Sequence, residues 1–261
     1  MIRILSFSLA VALMTVAPAA EGKDPSGAEL ARKWNQAYYY AGKTAKARVE
    51  MTIESKGKSR KRRFMILREN KSDLGDQRYF VYFQRPSDVR RMTLLVWKDA
   101  NGEDDRWLFL PDLDLVKRIE GKQGRTSFAG SDFLYEDMSG RPLEADKHKL
   151  EKTTSDYYVL LSVPRKSKSV KFDAYRVYID KKTFLPHKAV YYRKGKKIRE
   201  LEMLETELVD GYPIVTKARA TNVLTKTETT IEMSKMEFDL KLPAGLFEEQ
   251  SLRSAPSVAK R

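Results

Sequence analysis

Cysteine is absent from all 261 residues. No disulfide can form, no zinc site can be built from thiolates, and no cysteine is available to carry the lipid of a bacterial lipoprotein. Histidine occurs only twice, as His148 and His187, far apart in sequence. A Gly-x-x-x-x-Gly-Lys-Ser/Thr phosphate loop is also lacking, so ATP hydrolysis by that route is excluded. Beyond the N-terminus, no apolar run approaches the roughly 18–20 residues that cross a bilayer. The chain must therefore be held together by its core alone, and its length suffices for one large domain.

The N-terminus carries its own signal. Arg3 precedes an apolar stretch from Ile4 to Ala17, and Ala17-Pro18-Ala19 gives an A-x-A cleavage pattern. This predicts an exported chain with a signal peptide over 1–19, cleaved near Ala19. Charge is lopsided, with 50 Lys and Arg against 36 Asp and Glu, a formal net charge of +14. In an exported protein such a surplus favours an anionic membrane surface over nucleic acid as partner. A surface charged only for solubility is the plain alternative.

Helical spacing occurs once with clear punctuation. Ser26 followed by Glu29 forms a capping box, Leu30, Trp34, Ala37 and Ala41 share a face, and Gly42 stops the helix. From there the period changes to two. Ala47, Val49, Met51 and Ile53 alternate with Arg48, Glu50, Thr52 and Glu54. About a dozen further short runs follow, separated by turn pairs such as Lys56-Gly57, Lys194-Gly195 and Asp210-Gly211. The pattern predicts a mainly β chain built as a strongly curved antiparallel sheet in a single domain over 20–250, with a flexible tail at 251–261.

The segment from Tyr79 to Asp137 is the most distinctive. It reads YFVYFQRPSDVRRMTLLVWKD, then DRWLFLPDLDLVKRI, then SFAGSDFLYED. A strand ending near Pro-x-Asp, a Leu-Leu strand, a Trp-Leu-x-Leu-Pro strand end, a basic strand and a Phe-x-Gly-Ser-Asp-Phe-x-Tyr-Glu-Asp corner follow in order. In order and spacing this set resembles the LolA-like family of outer-membrane lipoprotein-sorting proteins. The resemblance implies a half-open barrel with helices over its mouth, a periplasmic carrier of lipid or lipoprotein acyl chains, no cofactor, and an RND-superfamily inner-membrane permease as donor. Near Arg91 the family carries a glycine where this chain has Val89-Arg90-Arg91, which removes the residue that would permit a tight turn.

Strand alternation and this resemblance select Val49, Met51, Ile53, Val81, Phe83, Trp107, Phe109, Leu201, Met203, Ile231 and Met233 as the cavity lining. A close-packed core is the competing reading of the same residues. Trp34, Phe128, Phe133 and Tyr135 are candidates for a lid. Ser131 and Asp132 are expected to cap a short helix over 133–138. Arg90, Arg91 and Lys98 are candidates for headgroup or membrane contact at the cavity mouth, because their stems can cover apolar surface. The monomeric carrier has two rivals: a periplasmic regulator that senses envelope lipids with the same fold, and a hydrolase. For the latter, Ser131 lies in Ala-Gly-Ser-Asp-Phe and not in a Gly-x-Ser-x-Gly elbow.

Overall fold

The structure, a computed structural model, describes residues 24–119, 126–166 and 170–261. The expected signal segment and its cleavage site near Ala19 lie outside the described residues. Helix α1 (Gly27–Tyr39) begins as its sequence predicts, with the Ser26 hydroxyl accepting from the Glu29 backbone N–H at 3.2 Å. Six strands follow: β1 (Thr44–Ser55), β2 (Lys58–Asn70), β3 (Gln77–Arg85), β4 (Thr93–Lys98), β5 (Asp105–Leu110) and β6 (Leu115–Arg118). After a short helix α2 (Tyr135–Ser139) come β7 (Asp146–Thr153), β8 (Tyr157–Pro164), β9 (Ala174–Asp180), β10 (Pro186–Arg193), β11 (Lys196–Val209), β12 (Tyr212–Asn222) and β13 (Thr227–Phe238). A last helical turn, α3, spans Gln250–Arg253.

All thirteen strands form one antiparallel sheet, ordered β6-β5-β4-β3-β2-β1-β13-β12-β11-β10-β9-β8-β7. Every neighbour is a hairpin partner except one pair, β1 and β13. Three hairpins turn on Lys56-Gly57, Lys194-Gly195 and Asp210-Gly211, where both residues have positive φ. That is the primed turn whose twist matches the strands it joins. The β3–β4 turn forms without its glycine, since Arg91 itself adopts φ +71 and donates its backbone N–H to Phe83 O at 2.9 Å.

Strands β6 and β7 are consecutive in sequence yet occupy opposite edges of the sheet. The chain between them must cross from one edge to the other. It crosses the inner face: Phe128 and Tyr135 pack with inner residues of β1 to β4, and Phe133 packs with those of β8 to β12. The inner face of the other edge is roofed by α1. There Gly27 lies against β7 so closely that an added Cβ would stand 2.4 Å from His148 O.

The tail is not free. Leu246, Leu252, Ala255 and Ala259 are buried against the outer face of β2 to β5, on Met65, Leu67, Phe80, Leu95, Trp107 and Phe109. Trp97 Nε1 donates to Phe247 O and Thr93 Oγ1 to Leu252 O, both at 2.8 Å. The expectation of a flexible 251–261 therefore fails. The apolar side chains of this stretch are sparse in sequence but fall on one surface once it is folded across the sheet.

Candidate functional site

Between α1, the crossing segment and the inner face of the sheet lies an apolar cavity. Its volume is about 220 Å³, and it is continuous with solvent at one side. Of the residues expected to line it, Val49, Met51, Leu201, Met203, Ile231 and Met233 do so. So do Trp34, Phe128 and Phe133 from the covering elements.

The other expected lining residues lie elsewhere. Ile53, Val81 and Phe83 face inward but belong to a close-packed cluster that fills the β1–β2 hairpin end of the sheet. Tyr135 joins them, its ring 5.4 Å from Phe128, and the tilted rings of Phe64 and Phe83 lie 5.0 Å apart. Trp107 and Phe109 point the opposite way, to the outer face under the C-terminal strap. Strand β5 is apolar on both faces, so its alternation could not tell inner from outer.

The crossing corner is pinned in place. Arg199 of β11 donates to Asp132 O at 3.2–3.3 Å and pairs with the Asp137 carboxylate. The Thr229 hydroxyl donates to Asp132 Oδ2 at 2.8 Å. Burial alone would lower the Arg199 pKa, but Asp137, Tyr191 and Glu136 hold it above the ordinary arginine value. Ser131 and Asp132 do not cap α2 as expected. Asp137 caps it from within, accepting the Leu134 backbone N–H at 2.6 Å. Ser131 instead closes the preceding turn, its hydroxyl donating to Phe128 O at 2.7 Å.

Neither histidine lines the cavity. His148 does meet a serine, Ser162, at 2.8 Å, but Ser162 is wholly buried and the other imidazole nitrogen faces Leu143 O at 3.0 Å. His187 stacks on Tyr157. Among the described residues, no cluster of His, Cys, Asp and Glu could hold a metal ion.

The three expected headgroup cations also separate. Arg90 and Arg91 are exposed on the β3–β4 turn. Beside them lie the β1–β2 hairpin cations, since Arg63 of β2 is paired with Arg85 of β3. Phe64 and Phe128 wall the cavity off toward that end, so neither arginine borders its mouth. Lys98 lies at the other end of its strand and is buried, its ammonium over the rings of Tyr39 and Tyr40. It is not a surface contact.

Burial depresses the Lys98 pKa to about 8, and the positive charge of Arg68 adds to the effect against the opposing pull of Asp104. Below that pH both folded and unfolded chains hold the proton. From pH 8 upward the native state sheds a proton that the unfolded chain keeps, so stability should rise with pH. By pH 9.5 the gain from this group is expected to reach roughly 2 kcal/mol. Urea midpoints at pH 7.5 and 9.5 test this, and Lys98→Met should flatten the rise; an equally steep rise in that variant would assign it to other groups.

Several cavity residues were not foreseen. Ala45, Ala47, Tyr38, Tyr39, Val177 and Phe238 line it, as does Arg68 of β2. Arg68 shares the inward parity of Phe64 and Ile66, and a cation at a core-facing position is a signal the sequence did offer.

A family model described as "uncharacterized protein"-like matches residues 75–254, well over half of the chain. The chain belongs to that family. It is similar to a DUF1329 family protein from Desulfovibrio piger, with 27% identity over 87% of this chain and 97% of that one, at a TM-score of 0.80. It is similar also to a protein domain from Vibrio parahaemolyticus described as outer membrane lipoprotein-sorting, with 26% identity over 87% and 98% of the two chains and a TM-score of 0.78. A LolA superfamily protein from Nitrosomonas europaea, 17% identical over 87% and 99%, shares the fold at a TM-score of 0.66. None of the curated proteins compared with it matches the chain. The curved open sheet is thus LolA-like, as the motif order predicts.

Proposed function

We propose that this protein is a periplasmic carrier that binds lipid, or the acyl chains of a lipoprotein, beneath helix α1. The observation that carries this reading is the apolar cavity between α1 and the inner face of a LolA-like sheet. Flexible Met51, Met203 and Met233 on its wall suit an irregular aliphatic ligand. Burying a chain of about 16 carbons from water is worth on the order of 13 kcal/mol. A bilayer solvates that chain nearly as well, so the carrier needs a donor to load it. An RND-superfamily permease fits that role by resemblance, and no catalytic step falls to the carrier itself.

The test is direct. Protein purified from the periplasm in monomeric form should release lipid on organic extraction, and delipidated protein should bind a fluorescent fatty acid. An empty extract together with no uptake would remove the carrier reading. A regulator that senses lipid would also bind, but only a carrier moves labelled lipid from donor to acceptor vesicles.

The surface charge supports a passing contact with membranes. Lys58, Arg60, Lys61, Arg85, Arg90 and Arg91 gather at one end of the sheet, and none forms an ion pair among the described residues. Their attraction to an anionic bilayer is screened over about 8–10 Å at physiological salt. Co-sedimentation with liposomes should rise with anionic lipid content and fall with added salt. The double change Arg90→Glu and Arg91→Glu should reduce it several-fold at unchanged thermal stability; binding indifferent to lipid charge would leave these cations a role in solubility alone.

A further inference from the structure

Two arginines are buried among the described residues, Arg106 and Arg68, and only the first is paired with a carboxylate. Arg106 pairs with Asp104 at 2.6 Å, Arg141 with Glu136 and Asp146 at 3.0–3.1 Å, and Arg199 with Asp137. Arg68 is 8% exposed and forms no ion pair among the described residues. Its terminal nitrogens donate to the carbonyls of Tyr39, Ala41 and Gly42, just past the last turn of α1, while its Nε is buried without a partner. A helix C-terminus offers the equivalent of about half a negative charge, which compensates a guanidinium only in part.

The surroundings deepen the imbalance. Arg68, Lys98 and Arg106 are all buried toward this end of β2 to β5, whereas Asp104 is the one buried carboxylate beside them. Asp104 is engaged by Arg106 and by the Ser139 hydroxyl at 2.7 Å. Asp239 and Asp76 act on these cations from exposed positions, and Asp239 is occupied by the Lys43 N–H and the Tyr212 hydroxyl. Burial holds the Arg68 pKa below the ordinary arginine value, as an uncompensated cation requires.

Arg68 is also part of the cavity wall, at the end where Ala41, Ala45, Pro213 and Phe238 are half-buried. The opposite end is closed by Phe64 and Phe128. Among the described residues the cavity is lined by one carboxylate, Asp137, which Arg199 neutralises. A ligand entering here would meet aliphatic and aromatic side chains along its length and a cation short of negative charge near the half-exposed end.

We propose that the cavity selects an amphiphile with one aliphatic chain and an anionic head, a carboxylate or phosphate, held beside Arg68. This rests on the carrier reading and adds to it the polarity of the cargo and the direction in which it lies. The head sits by the C-terminal turn of α1, and the chain runs under the helix toward Met203 and Phe133. Hydrogen bonds between a guanidinium and an anion are about twice as strong as neutral ones.

Displacement titrations on the delipidated full chain, with palmitate, hexadecyl phosphate and hexadecanol, test the inference. The wild-type protein should bind the two anions at least 10-fold more tightly than the alcohol, while inorganic phosphate alone displaces nothing. Arg68→Gln should bring the three within about 3-fold of each other, and Arg68→Lys should retain most of the preference. Because Arg68 also holds the end of α1, circular dichroism must first show that the variants are folded; the wild-type comparison stands in any case. Equal binding of alcohol and acid by the wild type would overturn the inference and leave the carrier reading in place. Binding of none of the three would remove both. Displacement by inorganic phosphate alone would make this an anion site unrelated to the chain, and equal weakening of all three ligands in Arg68→Gln would reduce Arg68 to a structural clamp.

Discussion

Deletion of residues 242–261 should leave a protein that is unfolded or aggregated at 25 °C, although the deletion touches no strand. The strap covers Met65, Leu67, Phe80, Leu95, Trp107 and Phe109, which would otherwise form one continuous apolar surface on the outside of β2 to β5. Surfaces of that kind drive association. A graded version gives a number. Leu252 is 1% exposed. Leu252→Ala should cost about 2–5 kcal/mol, since such a truncation removes buried contacts and leaves a cavity. For a chain of this size a loss of about 3 kcal/mol lowers Tm by roughly 6–12 °C. Urea unfolding and calorimetry measure both quantities. A change below about 0.5 kcal/mol would mean that the strap rests on the sheet without supporting it.

Filling the cavity should have the opposite profile. Ala218 of β12 is buried at its wall, 1% exposed. In a packed core, Ala218→Phe would force neighbours apart at about 1–3 kcal/mol. Where empty volume is available the ring can enter it, so stability should hold within about 1 kcal/mol. Uptake of a long-chain fluorescent fatty acid should fall at least 10-fold, because the ring takes space that the chain needs. Loss of stability with uptake intact would place Ala218 in a filled core and move the ligand elsewhere.

Much of the architecture was legible in the residues. Ser26 with Glu29 marked the start of α1, and the Lys-Gly and Asp-Gly pairs marked hairpins that the backbone confirms with positive φ. Alternation in β1, β11 and β13 assigned Val49, Met51, Leu201, Met203, Ile231 and Met233 to the inner face correctly. Those strands carry charges on their outer side, such as Glu202 of β11 paired with Arg219 of β12, so only one face could be the core. In β3 to β5 both faces are apolar, and the same rule failed for Trp107 and Phe109. The continuous run Phe80-Val81-Tyr82-Phe83 was itself the sign of a second covering layer.

The sequence by itself determined the class of fold, the hairpin order and the inward residues of the half-charged strands, because these depend on local period and turn chemistry. Which inward residues enclose empty space and which fill it was decided by tertiary structure alone. Phe83 and Met203 are both buried and face inward, yet one packs against Phe64 and the other faces the cavity. The difference is set by the crossing segment, whose Phe128 and Tyr135 fill one end of the sheet while α1 roofs the other. It is also set by the distance over which a curved sheet separates its two edges. No pattern within a strand encodes that distance. It emerges only when β1 meets β13 and the chain between β6 and β7 must span the inner face.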